Sequence, residues 1–378
     1  MTTTTLLDYS TSNKEVDRLP VETPLKSGKK GKLAFTSASV LAVLASFGYG
    51  WFSNQDIGFV LTAIACVPLA ALVIITLFST PRSEVSLPLR LIAVIWGGVA
   101  STTLTLIIVD AITKIFGTPD LNTTVVVQAA IVEEFCKALF LFGLFFGFKH
   151  LIRTPLAGAI LGILVGAGFA FIENILYFNN AFLQGSWENL WSTVLLRAGM
   201  SFFLHSMATM CTGIFIGYVV SKRTELRFWN KLIFIDMGLL AAMTVHGMWN
   251  GMASLSTDNS KWMVLYLCFW VPFVIVMVLS FLLVRQNYVE TKKETLINAA
   301  RRGYIKMSQA ERINDKRERK ALYKASNSSD IVRWENRLLR VQYWNESLTV
   351  TKNERQARRI GAAKSKDMRK LAQVVSKV

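Results

Sequence analysis

Residues 125–148 read VVVQAAIVEEFCKALFLFGLFFGF, a helix-length apolar run that contains the adjacent glutamates Glu133 and Glu134. About 20 apolar residues are enough to cross the hydrocarbon core of a bilayer as an α-helix. Ionisable side chains are costly in that environment and indicate a functional site by default. The run therefore predicts both a membrane-spanning helix and a candidate site.

Similar apolar runs recur along the 378 residues, 52% of which are hydrophobic. This pattern predicts an all-α fold, a polytopic transmembrane helical bundle of about eight spans. The predicted spans are 33–52, 57–78, 89–110, 124–148, 156–178, 197–220, 232–252 and 262–284.

The net charge of +17 is concentrated at one end of the chain. Residues 285–378 carry twenty-four basic and ten acidic side chains, which gives +14. Lysines and arginines are also concentrated in alternate short loops, so the positive-inside rule predicts that both termini are cytoplasmic. We expect a multi-pass protein of the cell (plasma) membrane. The predicted domains are a cytoplasmic segment 1–32, a transmembrane domain 33–284 and a basic, partly helical cytoplasmic tail 285–378.

The basic tail interleaves apolar side chains with arginines. Such a segment can contact anionic lipid or a soluble protein. No recognised nucleic-acid-binding module is present, so no specific nucleic-acid partner is expected.

Four ionisable residues in different predicted spans lie at a similar depth. Glu133, Glu173, His205 and His246 are 14–17 residues from the predicted cytoplasmic ends of their helices. At about 1.5 Å per residue this is roughly 21–26 Å, in the outer half of a core about 30 Å thick. We therefore predict one layer of buried acids and imidazoles.

The local spacing adds partners to this layer, because residues four apart share a helix face. Lys137 follows Glu133 by four residues and is expected to keep it ionised. Glu134 lies about 100° around the helix and is expected to face another partner. The other pairs with this spacing are Phe169 with Glu173 and His246 with Asn250.

Four strings occur together in one order: EEFCK at 133–137, FAFIEN at 169–174, HSMATMCTG at 205–213 and HGMWN at 246–250. They fit E-E-x-x-K, F-x-x-x-E-N, H-x(7)-G and H-x-x-x-N. Over about 123–252 the chain resembles the PrsW family of intramembrane proteases, and more distantly the CAAX-processing and bacteriocin-processing membrane proteases.

The resemblance implies cleavage of a membrane-anchored protein, such as an anti-sigma factor, at the outer side of a bacterial membrane. The candidate catalytic residues are Glu133, Glu134, Glu173, His205, His246 and Asn250. The candidate supporting residues are Lys137, Phe169, Asn174 and Gly213.

Peptide hydrolysis requires an activated water, a proton donor for the leaving amine and a group that holds the oxyanion. In one version a divalent metal such as zinc is held by His205, His246 and either Glu133 or Glu173. In a metal-free version Glu133 or Glu134 is the general base, and a histidine acts as acid or oxyanion donor with help from Asn250. The residues leave both versions open.

Two other functions use the same residues. A proton- or cation-coupled transporter would employ the acids and histidines as an ion site, but no convincing internal repeat is present. A catalytically inactive membrane scaffold would instead bind membrane partners through its tail. For the Glu133–Lys137 pair, a purely structural salt bridge is the alternative to a catalytic role. The four cysteines lie singly in different spans and suggest neither a disulfide framework nor a thiolate zinc site.

Overall fold

The computed structural model describes residues 58–80, 84–117, 120, 123–184, 187–223, 225–258, 260–301, 307–315, 317–318, 341 and 354–375. The elements within these ranges are helical, and none of the described residues is in a strand. The all-α prediction is confirmed. The chain divides into two compact units, residues 36–294 and residues 1–35 together with 295–378.

The first of these units contains the candidate site. Its α-helices are α1 (Gly58–Ser79), α2 (Leu87–Ile95), α3 (Thr102–Phe116), α4 (Ala129–Gly147), α5 (Pro155–Leu183), α6 (Trp187–Val194), α7 (Leu204–Ser221), α8 (Phe228–Asp258) and most of α9 (Ser260–Arg301). Wider π-helical turns extend three of them, at Trp96–Ser101, Thr123–Gln128 and Leu195–Met200, and a 3-10 turn follows α4 at Lys149–Leu151.

The other unit contains the end of α9, α10 (Met307–Asn314) and α11 (Glu354–Val375) among its described residues. Helix α11 exposes Arg358, Arg359 and Lys366 and buries Ile360. One face of this helix is therefore basic, as expected from the composition of the tail.

Among the described residues, six helical stretches are long and apolar enough to cross a membrane. They are Val60–Ser79, Leu87–Phe116, Pro155–Leu183, Trp187–Ser221, Phe228–Leu255 and Cys268–Asn298. The polytopic prediction is therefore confirmed, and these stretches correspond to six of the predicted spans.

The other two predicted spans have different outcomes. The span at 33–52 lies outside the described residues. The span at 124–148 is a helix in the structure, formed by the π-helical turn and α4, but it differs from the six apolar stretches because it contains three charged residues, Glu133, Glu134 and Lys137. The number of spans and the side of the termini stay predictions.

Helix α5 is the central element, and it packs against α1, α2 and α7. Its start is well defined, because the Thr154 hydroxyl accepts a hydrogen bond from Ala157 N at 3.0 Å and Pro155 occupies the first turn. The same hydroxyl donates to the buried carboxylate of Glu84 in the α1–α2 loop. These contacts set where α5 begins and therefore the height of its residues within the bundle.

Glycines permit the close crossing of α5 and α7. Gly158, Gly162 and Gly166 recur at four-residue spacing on α5, so they line one face of that helix. A Cβ atom at Gly162 would lie 2.5 Å from the carbonyl oxygen of Thr209, and one at Gly166 would collide with the carbonyl oxygen of His205. The backbone of α7, including that of His205, therefore lies directly against α5.

A matched pair of substitutions tests this crossing. Gly162→Ala is expected to lower the free energy of unfolding by about 1–3 kcal/mol, because the added methyl group overpacks a backbone contact. Gly143→Ala, where a Cβ atom would meet nothing within 4 Å, is expected to be neutral or to gain up to about 1 kcal/mol from helix propensity. Denaturant titration in detergent micelles gives both values, and equal stability of the two variants would contradict the close crossing.

Candidate active site

Three helices bring polar side chains into one buried cluster inside the bundle. Helix α4 contributes Glu133, Glu134 and Lys137, helix α7 contributes His205, and helix α8 contributes His246. All five residues are buried. The predicted members of the layer on these helices are therefore neighbours in space.

The ammonium group of Lys137 is at the centre of the cluster. Its Nζ lies 2.7 Å from Glu134 Oε1, 3.3 Å from Glu133 Oε2 and 2.9 Å from His205 Nδ1. The Nζ atom also lies 3.9 Å from the centre of the Phe169 ring, which is the contact made by that candidate supporting residue. A buried ammonium requires such partners, since its desolvation would otherwise cost several kcal/mol.

The structure differs here from the expectation that Glu134 faces away from Lys137. A residue three positions earlier also lies on the same helix face, about 60° away, and the long lysine side chain reaches it. Lys137 therefore contacts both glutamates and lies closer to Glu134.

In each histidine of the cluster, one ring nitrogen lies within hydrogen-bond distance of a glutamate carboxylate, and the two histidines use different glutamates. His205 Nε2 lies 2.8 Å from Glu173 Oε2, and His246 Nδ1 lies 3.0 Å from Glu134 Oε1. An ionised carboxylate only accepts hydrogen bonds, so these two nitrogens carry the protons. The lone pairs are consequently at His205 Nδ1 and His246 Nε2.

The two lone-pair nitrogens lie on the same side of the cluster as Glu133. Glu133 Oε2 is 3.9 Å from His205 Nδ1 and 3.8 Å from His246 Nε2. One ligand atom from each of these three residues fits within 4.8 Å of the others. Two imidazole nitrogens and a carboxylate oxygen form a donor set typical of catalytic zinc, and each imidazole also has the outer carboxylate that usually accompanies metal-binding histidine.

Glu173 does not belong to this group of three, although it was one of the candidate ligands. Its carboxylate lies at the opposite nitrogen of the His205 ring and accepts hydrogen bonds there. The geometry gives it an orienting position instead.

Two polar residues of the cluster were missed by the sequence analysis. Arg197, in the π-helical turn before α7, pairs with Glu173 and donates from Nε to Asn174 Oδ1 at 3.0 Å. Thr209 donates to Glu134 Oε2 at 3.0 Å. A sequence signal existed for each: Arg197 is a lone arginine at the outer end of an apolar span, and Thr209 lies one turn after His205.

The remaining predicted residues lie at the edge of the cluster or outside it. Asn250 is half-buried on α8, one turn beyond His246. Gly213 lies two turns beyond His205 at the helix crossing, where a Cβ atom would collide with the Gly158 carbonyl oxygen. Its contact is with the α5 backbone, so it positions α7.

Comparison with known proteins supports this picture. The family model described as PrsW family intramembrane metalloprotease matches residues 86–277, which include all four motifs and more than half of the chain. The chain belongs to the PrsW family of intramembrane metalloproteases. Searches of curated proteins and of solved structures gave no match.

Membership of the PrsW family confirms the resemblance drawn from the motifs. The protein is a multi-pass membrane protein with the function of a membrane protease, and its family implies a membrane-protein substrate in the lipid bilayer. The residues of the buried cluster lie on helices inside the matched range.

The central role of Lys137 can be tested against an exposed pair with the same spacing. Lys137→Met is expected to lower the free energy of unfolding by about 3–5 kcal/mol, because it leaves two buried carboxylates without their cation. Lys114→Met removes the partner of Asp110, and both of those side chains are largely exposed, so little change is expected. Denaturant titration in micelles measures both, and a Lys137→Met protein as stable as Lys114→Met would contradict the role assigned to Lys137.

Proposed function

We propose that this PrsW-family protein is an intramembrane endopeptidase that hydrolyses a peptide bond of a membrane-anchored protein at the outer side of the bilayer. The observation that carries the proposal is the convergence of Glu133 Oε2, His205 Nδ1 and His246 Nε2 inside the bundle. Acceptor atoms from three helices face one another there, which suits the activation of a water molecule.

Glu133, His205 and His246 are the residues that would hold a divalent metal such as zinc. When bound, such an ion would supply Lewis-acid polarisation of the water and of the scissile carbonyl. His205 Nδ1 has a single lone pair, so a metal at this atom would replace its contact with Lys137. Lys137 would keep Glu134 as a partner.

Glu133 is the better candidate for the carboxylate that reaches the water. Its side chain is 10% exposed, whereas that of Glu134 is fully buried. Among the described residues, the hydrogen bonds and ion pairs of Glu133 run through Oε2. Oε1 can therefore accept a proton from the attacking water and deliver it to the leaving amine nitrogen as the C–N bond breaks.

The other polar groups hold this arrangement in place. Glu134 accepts hydrogen bonds from Lys137, His246 and Thr209, so three of its about four acceptor positions are already engaged. Asn250 lies one turn from His246 and is proposed as a hydrogen-bond donor to the oxyanion. Polar groups that are already held in place favour catalysis by a preorganised site.

The proposed substrate is a membrane-anchored protein such as an anti-sigma factor, cut beside the outer leaflet of a bacterial plasma membrane. The depth of the cluster, in the outer half of helices whose basic loops are predicted to be cytoplasmic, supports this side. The basic tail is proposed to contact anionic lipid or a soluble protein from the cytoplasm, which co-sedimentation of the full chain with anionic vesicles would test.

The first experiment compares Glu133→Gln with Glu188→Gln, an exposed carboxamide change on α6. Membranes that contain the wild-type protein are expected to yield new protein N-termini at outer juxtamembrane positions. Glu133→Gln is expected to lower their yield by at least about 10²-fold, because the general base is removed, and Glu188→Gln should leave it unchanged. Quantitative N-terminal proteomics reads both, and wild-type cleavage by a folded Glu133→Gln protein would refute the proposed base.

The metal is tested through the three histidines of the chain. Purified wild-type protein is expected to bind about one divalent ion per chain, measured by elemental mass spectrometry. His205→Gln and His246→Gln should lose that ion, whereas His150→Gln, outside the group of three, should keep it. Cleavage that survives exhaustive chelation while either loss variant is inactive would instead support the metal-free version.

A further inference from the structure

A second polar cluster lies on the Nε2 side of the His205 ring, opposite the Nδ1 atom that faces Glu133. It consists of Glu173, Asn174 and Tyr177 on α5 and of Arg197 in the turn Leu195–Met200. Arg197 donates from a terminal nitrogen to Glu173 Oε2 and from Nε to Asn174 Oδ1. Its guanidinium carbon also lies 3.9 Å from the centre of the Tyr177 ring.

These contacts hold the arginine in a single orientation. Its Nε and a terminal nitrogen contact the adjacent residues Asn174 and Glu173 of α5, and Tyr177 follows Glu173 by one turn on the same face. Stacking on the tyrosine ring restrains the plane of the guanidinium. Arg197 therefore presents a positive charge at a defined place beside the Glu173 carboxylate.

One oxygen of Glu173 links this cluster to His205. Oε2 accepts from Arg197 and also lies 2.8 Å from His205 Nε2. An ionised carboxylate can only accept hydrogen bonds, so the imidazole donates to it from Nε2. The position of this carboxylate therefore favours the hydrogen on Nε2 of His205 and leaves the lone pair on Nδ1.

The contacts of Arg197 hold the Glu173 carboxylate in this position. A terminal nitrogen of Arg197 donates to Glu173 Oε2, the oxygen that also lies beside His205 Nε2, and its Nε donates to Asn174 Oδ1. Without the guanidinium, the carboxylate would lose the donor that fixes its orientation and would be free to turn away from His205. The contact would then no longer favour one tautomer of His205 over the other.

We propose that Arg197 is a positioning residue of the protease: it holds the Glu173 carboxylate against Nε2 of His205, which keeps His205 in the Nε2–H tautomer and directs the Nδ1 lone pair toward Glu133 and His246. Its effect on cleavage rests on the proposed function. The tautomer itself does not depend on whether the protein cleaves a substrate.

The chain contains only three histidines, so selective labelling with ¹⁵N-histidine gives a simple spectrum. The ring nitrogens of His205 are assigned by the signals that vanish in His205→Gln. In the wild-type protein a protonated Nε2 and an unprotonated Nδ1 are expected. In Arg197→Gln we expect the Nε2 signal to shift or split into two tautomers, and in Arg197→Lys, which keeps the cation, we expect the wild-type pattern.

The same variants are measured for cleavage. Arg197→Gln is expected to lower kcat about 10–100-fold with little change in KM, since the arginine acts on a histidine and does not touch the substrate. Arg197→Lys should recover most of that loss. Arg223→Gln, the same change in the half-buried α7–α8 loop, is the matched control and should behave as wild type in both measurements.

A double substitution shows whether Arg197 acts through Glu173. Arg197→Gln added to Glu173→Gln is expected to change kcat and the His205 signal no further than Glu173→Gln alone. Additive effects would overturn the proposed route. So would a folded Arg197→Gln protein that keeps the wild-type His205 signal, whatever its activity.

Failure of the proposed function would look different. A wild-type protein without any cleavage would refute the protease mechanism, while the nitrogen signals of Arg197→Gln would still decide the role of the arginine. Thermal unfolding of each variant in micelles separates both outcomes from misfolding.

Discussion

The site depends on one buried ammonium group. Lys137 is completely enclosed, and its charge is compensated by Glu133 and Glu134 on its own helix and by a lone pair of His205 on another. A charge in such surroundings is tolerated only when its partners are in place, so α4 and α7 cannot shift independently of each other. The same interaction explains why a helix with three ionisable residues can lie inside an apolar bundle.

The helix crossing decides where the imidazoles lie. The glycines of α5 let the backbone of α7 approach until His205 is in contact with Gly166. A side chain at these glycine positions would separate the helices and move His205 away from Lys137 and Glu173. The contact between α5 and α7 therefore both packs the bundle and positions His205. The geometry of the site depends on the stability of this crossing.

A common arrangement links the two histidines. In each ring, one nitrogen contacts a carboxylate, that of Glu173 or Glu134. The other nitrogen belongs to the group of candidate metal-binding atoms with Glu133. This pattern gives the paired acids of the EEFCK motif different positions: Glu134 holds an imidazole, and Glu133 lies beside the other ring nitrogens of His205 and His246. Arg197 and Lys137 balance the acids from opposite sides of His205.

The membrane class, the helical fold and the residues of the four motifs could be predicted from the sequence, because hydrophobic length and helical spacing are local properties. The shared depth of Glu133, Glu173, His205 and His246 followed from counting residues along each span. The partners of each side chain did not follow, since they depend on how helices rotate and cross. Only the tertiary structure decided that Lys137 contacts both glutamates, that Glu173 lies at Nε2 of His205 and that Arg197 pairs with Glu173. The physical reason is that a buried charge also pairs with side chains on neighbouring helices. Those distances depend on how the helices pack, and the residue order along one helix does not determine them.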